Sequence, residues 1–212
     1  MSQLKLTADS GGGTVAIKAP ASTTGNAALD LTVPGTASAT LDTLKRAGNI
    51  LQVVQNIKTD ISSQSVDIAV AADFDSLYSQ AITPSSSSSK ILVSMNLSIA
   101  MSAAPNQLML RLRRKIGSGS FADLSAALGD TDGSRYRCFH CVPNPDNVYM
   151  AMTINLNFLD SPSTTDAVTY SFSAAHDSGS TRHIYINRDG GGYNHSYTPR
   201  PASTIILKEV AA

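Results

Sequence analysis

Residues 82–102 read ITPSSSSSKILVSMNLSIAMS, and the reading of this stretch decides the fold. From Ile91 onward, Ile91, Val93, Met95, Leu97, Ile99 and Met101 point one way, while Ser94, Asn96, Ser98, Ala100 and Ser102 point the other. A period of two over this length is a half-buried β-strand, because successive side chains leave opposite faces of the pleat. The serine run ahead of it has no apolar group to bury and reads as a loop.

Working outward, residues 147–158 predict a second strand with Val148, Met150, Met152, Ile154, Leu156 and Phe158 facing in. Val168, Tyr170, Phe172 and Ala174 form a further inward row. Ile184 and Ile186 mark a short strand, and residues 204–210 another, with Ile205 and Leu207 opposite Ile206 and Lys208. Over residues 50–61, Leu51, Val53, Ile57, Thr59 and Ile61 share a face. Residues 74–83 alternate weakly, through Leu77, Ser79 and Ala81 or through Tyr78, Gln80 and Ile82. Pro105 and Asn106 make a turn, after which Leu108, Leu110 and Leu112 alternate with Met109, Arg111 and Arg113. The adjacent cations Arg113 and Arg114 read as a bulge or as the solvent end of that strand. Gly117-Ser118-Gly119-Ser120 is a tight connection, and residues 121–128 have room for one helical turn. Roughly eight strands, long irregular connections and no amphipathic helix predict an all-β protein, a jelly-roll β-sandwich.

Composition bounds the rest. Of 212 residues, 42% are hydrophobic, enough for a core, whereas only 15% are charged. Net charge is zero, so bulk electrostatics predict no nucleic-acid partner and no attraction to an anionic membrane. Low net repulsion also tolerates self-association. No apolar run reaches the length of a membrane span, and MSQLKLTADSGGG lacks the charged-then-apolar layout of a secretory signal. The expectation is a soluble protein made in a cytoplasm, with no membrane insertion.

Residues 1–48 differ from residues 49–212. Short strand candidates at 4–7, 14–18 and 28–33 are broken by Gly11-Gly12-Gly13, Gly25-Asn26 and Pro34-Gly35. Residues 40–47 read as a helical turn or linker, with the domain boundary at Gly48. Segments this short and this poor in large apolar residues bury too little alone, so the expectation is an N-terminal appendage completed by identical chains.

Several stretches resemble a known family. Tyr185-Ile186-Asn187-Arg188, the glycine-rich loop after it, and Ser203-Thr204-Ile205-Ile206-Leu207-Lys208-Glu209-Val210 resemble a domain common in structural proteins of tailed phages. Ile82-Thr83-Pro84-Ser85 with Ser89-Lys90-Ile91-Leu92-Val93, and Asp160-Ser161-Pro162-Ser163-Thr164-Thr165, fit the same family. The segment Val15-Ala16-Ile17-Lys18-Ala19-Pro20-Ala21-Ser22-Thr23-Thr24-Gly25-Asn26, with Leu31-Thr32-Val33-Pro34, looks like the short β-repeat ahead of phage fibre heads. The resemblance implies a homotrimer with a head of the tumour-necrosis-factor type on the virion surface, made in the host cytoplasm. Residues 1–48 would then be the virion-attachment and trimerisation segment, joined to capsid or tail proteins, and residues 49–212 the head. Because the chain enters the β-repeat almost at once, the expected protein is a short fibre or a capsid decoration (cement) protein rather than a long tail fibre.

Candidate sites are few. Cys138-Phe139-His140-Cys141 has C-x-x-C spacing, which can grip zinc from one side but needs two further ligands. Reduced structural thiols, a disulfide and a metal site all remain readings of that motif, with no metal or cofactor expected. Asp130-Thr131-Asp132-Gly133 begins like a calcium loop, but Cys141 stands where an EF-hand requires glutamate, and a turn is the reading. His176-Asp177 lies in a serine-rich chain without a G-x-S-x-G elbow, so no catalytic residue and no enzyme is expected. No patterned carboxylate pair supports a polysaccharide-degrading spike. Arg111, Arg113, Arg114 and Lys115 form a basic edge, read as a solvated face or intersubunit ion pairs rather than a nucleic-acid site. Finally, Arg182, His183, Arg188, Asp189, Tyr193, Asn194, His195 and Tyr197 gather aromatic and polar groups around a glycine-rich loop. Two readings stand: a host-surface glycan site, where rings stack on sugars and polar groups pair with hydroxyls, or contacts within a trimer.

Overall fold

The computed structural model describes residues 3–7, 14–18, 46–68, 70–103, 107–143, 148–177 and 179–212. The chain forms two compact units, Met1–Leu41 and Asp42–Ala212. In the first, β1 (Gln3–Thr7) and β2 (Thr14–Lys18) pair antiparallel, from Gln3 opposite Lys18 to Thr7 opposite Thr14. The strand expected at 28–33, residues 40–45 of the expected linker, and the Pro105-Asn106 turn lie outside the described residues.

The second unit is all-β. Its strands are β3 (Ile50–Lys58), β4 (Ser62–Val66), β5 (Ala72–Asp73), β6 (Gln80–Ile82), β7 (Lys90–Met101) and β8 (Gln107–Ile116). They continue with β9 (Ala122–Asp123), β10 (His140–Pro143), β11 (Met152–Asp160), β12 (Val168–His176), β13 (Arg182–Ile186) and β14 (Ser203–Val210). One sheet runs β3–β14–β7–β11, with β13 and β4 continuing beside the C-terminal part of β7. The other runs from β5 and β6 through β12 and β8 to β9 and β10. Taking β3 with β4, β5 with β6, β9 with β10 and β13 with β14 as single interrupted strands leaves eight described strands in this unit. Their orders are first-eighth-third-sixth and second-seventh-fourth-fifth, the arrangement of a jelly roll. A single 3₁₀ turn, Ser125–Ala127, occupies the region where one helical turn was expected.

The core lies between the sheets. All six apolar residues of the decisive stretch, Ile91 through Met101, are buried there. They meet Leu108, Leu110 and Leu112 of β8 and Val168, Tyr170, Phe172 and Ala174 of β12, and Phe74 stacks on Phe172 at 4.7 Å between centroids. Each such side chain stabilises by roughly 1.5–3 kcal/mol on burial. Of the two alternations open for residues 74–83, the one through Tyr78 and Ile82 is buried, and the Tyr78 hydroxyl donates to the carbonyls of Asn56 and Ser203.

One open reading is settled and two expectations are corrected. First, Val53 and Ile57 of β3 face outward and are each 56% exposed, while Val54, Asn56 and Lys58 face in. The inward polar groups are satisfied: Gln52 donates to Glu209 and to the Thr83 carbonyl, Asn56 donates to the Ser79 carbonyl, and Lys58 pairs with Asp60. Second, β8 pairs with β12 without a register shift from Leu108 to Ile116, so Arg113-Arg114 is no bulge. Arg114 occupies the inward position after Leu112, where the buried Asp160 carboxylate from the facing sheet accepts both contacts from Nη1, at 2.9 and 2.8 Å. Third, β11 starts at Met152, so Val148 and Met150 precede it, and Met150 is exposed. The Val148 carbonyl is engaged by Gly191 N–H instead.

Candidate functional site

The glycine-rich loop expected to carry a site follows β13. Its first residue, Asn187, is fully buried and left-handed at φ 62°. Its side-chain amide donates to the carbonyls of Lys58 and Asp60, and its Oδ1 accepts from Ser203 Oγ at 2.6 Å. Asparagine tolerates that backbone conformation better than a branched residue, which explains its place at the corner. Gly190 then lies so close to β7 that a Cβ would stand 1.8 Å from the Met101 carbonyl oxygen. Asp189, 2% exposed, accepts the Gly192 N–H at 2.5 Å, and Thr198 Oγ1 donates to the carbonyls of Tyr193 and His195. The loop is clamped at both ends.

That clamping presents a row of rings. Tyr149 tilts against Tyr193 at 5.3 Å, Tyr193 stacks with His195 at 6.1 Å, and His195 stacks with Tyr197 at 4.9 Å and an interplanar angle of 9°. Tyr149, Tyr193 and Tyr197 are exposed, Tyr197 most of all at 71%. The neighbouring Tyr193 phenol, then partial desolvation, pushes the Tyr149 hydroxyl above its ordinary value. Of the residues expected here, Tyr193, His195 and Tyr197 are brought together, with Asn194 exposed between the first two. Arg188 and Asp189 are turned to support: the guanidinium lies 4.2 Å over the Tyr185 ring, and Arg188 Nε donates to the Asp189 carbonyl. Arg182 opens β13 opposite Val66, and His183 stacks on Tyr185 at 6.1 Å. Tyr149 was missed; its only signal was a tyrosine set between Val148 and Met150.

A second surface is the outer face of the β3–β14–β7–β11 sheet. Register aligns Ile57, Thr204, Asn96 and Asn155 in one row, Gln55, Ile206, Ser94 and Asn157 in the next, and Val53, Lys208, Leu92 and Leu159 in a third. Apolar, amide and hydroxyl groups fill it, and charge is confined to Lys208 and Lys90 at one end.

The remaining motifs are engaged locally. Arg111 pairs with Asp123 at 2.7 Å and lies over Tyr136, Arg113 pairs with Asp73 and Asp75, and Lys115 lies over Phe121. Arg111, Arg113 and Arg114 are thus each paired with a carboxylate of their own chain. The Asp130–Gly133 segment is a turn in which Thr131 N–H donates to Asp130 and Arg135 pairs with Asp132. Cys138 and Cys141 are free thiols, each pushed up by burial, and Cys141 donates to Gln107 Oε1. Among the described residues, no three His, Cys, Asp or Glu side chains gather in a way that would hold a metal ion. His176 is buried with Nε2 2.8 Å from the Val66 carbonyl, and Asp177 accepts the Gln107 N–H. Among the described residues, no helix is long and apolar enough to cross a membrane.

The fold thus defines an eight-stranded jelly-roll sandwich. No family model matches the chain, and no curated protein matches it. Among solved structures, it is similar to the VP2 subviral particle of infectious bursal disease virus, at 16% identity over 94% of this chain and 47% of that one, with a TM-score of 0.34. The Gx strain of that virus gives 15% identity over 99% and 47%, with a TM-score of 0.31. The Gt strain gives 17% over 94% and 45%, with a TM-score of 0.34. The chain spans just under half the length of these proteins.

Proposed function

We propose that the protein is a non-enzymatic bacteriophage virion protein: a short trimeric fibre on the particle exterior that contacts the host surface. The observation that carries this reading is the outer face of the β3–β14–β7–β11 sheet. A monomer gains nothing from exposing Ile50, Val53, Ile57 and Leu159 together, whereas copies of the chain that cover one another's faces would bury them. The face has no carboxylate to be stranded and little charge to repel its own copy. Four strands of about eight residues make a patch of roughly 500 Å² on each copy, which puts a pairwise contact at about 1,000 Å², the lower bound for a specific interface. The resemblance of residues 82–93, 160–165 and 185–210 to a domain of tailed-phage structural proteins, and of residues 15–34 to the short β-repeat ahead of phage fibre heads, supports the virion setting, with residues 1–48 as the attachment and trimerisation segment.

The mechanism is avidity: three weak sites on one rigid assembly bind a surface far more tightly than one site does. Light scattering on the purified chain is expected to give three times the chain mass, and a monomer would overturn the reading. Virions lacking the protein are expected to keep intact heads and lose adsorption. Heads that burst on warming or at low salt would instead identify a decoration protein that cements the shell.

A further inference from the structure

We propose that the ring row Tyr149–Tyr193–His195–Tyr197 is a binding platform for a neutral carbohydrate, with the free face of Tyr197 as its stacking surface. Tyr197 is 71% exposed although His195 covers one of its faces, so the opposite face is open. An aromatic face takes the apolar side of a pyranose ring, and the sugar hydroxyls then need donors and acceptors close by. Asn194 and Ser196, both exposed, and the Tyr197 hydroxyl supply them without a fixed charge. Of the charged groups in the loop, Asp189 is buried on Gly192 N–H and Arg188 lies flat on Tyr185, while Arg200, three residues after Tyr197, is exposed. The surface is made mainly of ring faces, an amide and hydroxyls, which suits a neutral polyhydroxyl ligand.

The platform is also made rigid in advance. Gly190 admits no side chain against the Met101 carbonyl, and a Cβ on Gly191 would meet the Tyr193 ring at 2.9 Å. Rings already stacked on one another lose little conformational freedom when a sugar arrives, which favours binding by a shallow site. Copies of the chain have a separate, flatter and larger surface available in the outer sheet face, so the ring row is not needed to hold them together.

This inference names the ligand class of the host-contacting role proposed above and rests on that role only for the source of the sugar. The test is saturation-transfer NMR and isothermal titration of the intact protein. The probes are methyl glycosides of glucose, galactose, mannose and N-acetylglucosamine, followed by an array of neutral and acidic oligosaccharides. Binding of a neutral saccharide is expected, weakened about tenfold or more by Tyr197→Ala and retained by Tyr197→Phe. Circular dichroism and light scattering should be unchanged in both variants. Absence of binding to every saccharide overturns the inference, as does full affinity in Tyr197→Ala; neither result touches the mass by which the trimer is judged. If Tyr197→Ala instead dissociates the assembly, the row is a contact between copies and the inference falls.

Discussion

Strands β3 and β7 lie in one sheet, separated only by β14, yet their patterning is inverted. In β7 the large apolar residues Ile91, Val93, Met95, Leu97, Ile99 and Met101 enter the core, and Leu92, Ser94 and Asn96 lie on the outer face. In β3 Ile50, Val53 and Ile57 look out, and Val54, Gln52, Asn56 and Lys58 enter the structure, the polar three with their hydrogen bonds made. The same period of two therefore has two outcomes: in β7 it fills the core, and in β3 it leaves an exposed apolar edge. Alternation reports that a strand has two faces; the neighbours decide which one is inside.

The largest expected effect on folding tests the β7 half of this contrast. Leu97→Ala removes a fully buried side chain between the sheets and is expected to cost about 2–5 kcal/mol, read as a lower denaturant midpoint at unchanged slope. A loss under 1 kcal/mol would mean the sandwich is not packed as described.

An intermediate effect is expected at the polar inner side of β3. Glu209 is fully buried, which by itself raises its carboxyl, but side-chain bonds from Ser85, Ser89 and Gln52 and the Ser85 N–H outweigh burial and hold it below the ordinary value of 4.5. A depressed folded-state value means that the stabilisation is present above that ordinary value and is lost as pH falls below it. Glu209→Gln should therefore cost about 1–3 kcal/mol at neutral pH, and the gap between native protein and variant should close below pH 4. Chemical denaturation from pH 7 to 2 reads both, and a gap independent of pH would remove the carboxylate from the explanation.

The smallest effect on folding, and the sharpest on assembly, is expected on the outer side of β3. Val53→Ser with Ile57→Ser should shift the melting midpoint of the isolated subunit little, by about 0.5 kcal/mol per site or less, while light scattering moves toward the monomer mass. An unchanged assembly mass would make the exposed edge of β3 a solvated surface and erase the contrast with β7.

The sequence made the interior legible wherever one strand face held nothing but large apolar groups. Residues 91–101 and 168–174 were read with the right face inward, because no polar group competed for the core, whereas Ile205 and Leu207 were read only as opposite Ile206. Residues 50–61 were read only as two-faced, since Val53 and Ile57 give the same alternation whichever way they point. Arg114 was read as an interruption because the buried carboxylate that accepts it lies 46 residues away in sequence, in Asp160. Of the ring row, Tyr193, His195 and Tyr197 stood out by sequence proximity. Tyr149 did not, because what joins it to them is the bond from Gly191 to Val148, between distant parts of the chain.

One detail of the topology reaches into synthesis. Strand β14 is the latest of the described strands in chain order, yet it occupies an inner slot between β3 and β7. On the ribosome β3 and β7 emerge long before it, each with an open flank and nothing to fill the gap. Such a nascent chain must wait for β14 before this sheet can close, and until then the open flanks of β3 and β7 need shielding from neighbouring strands.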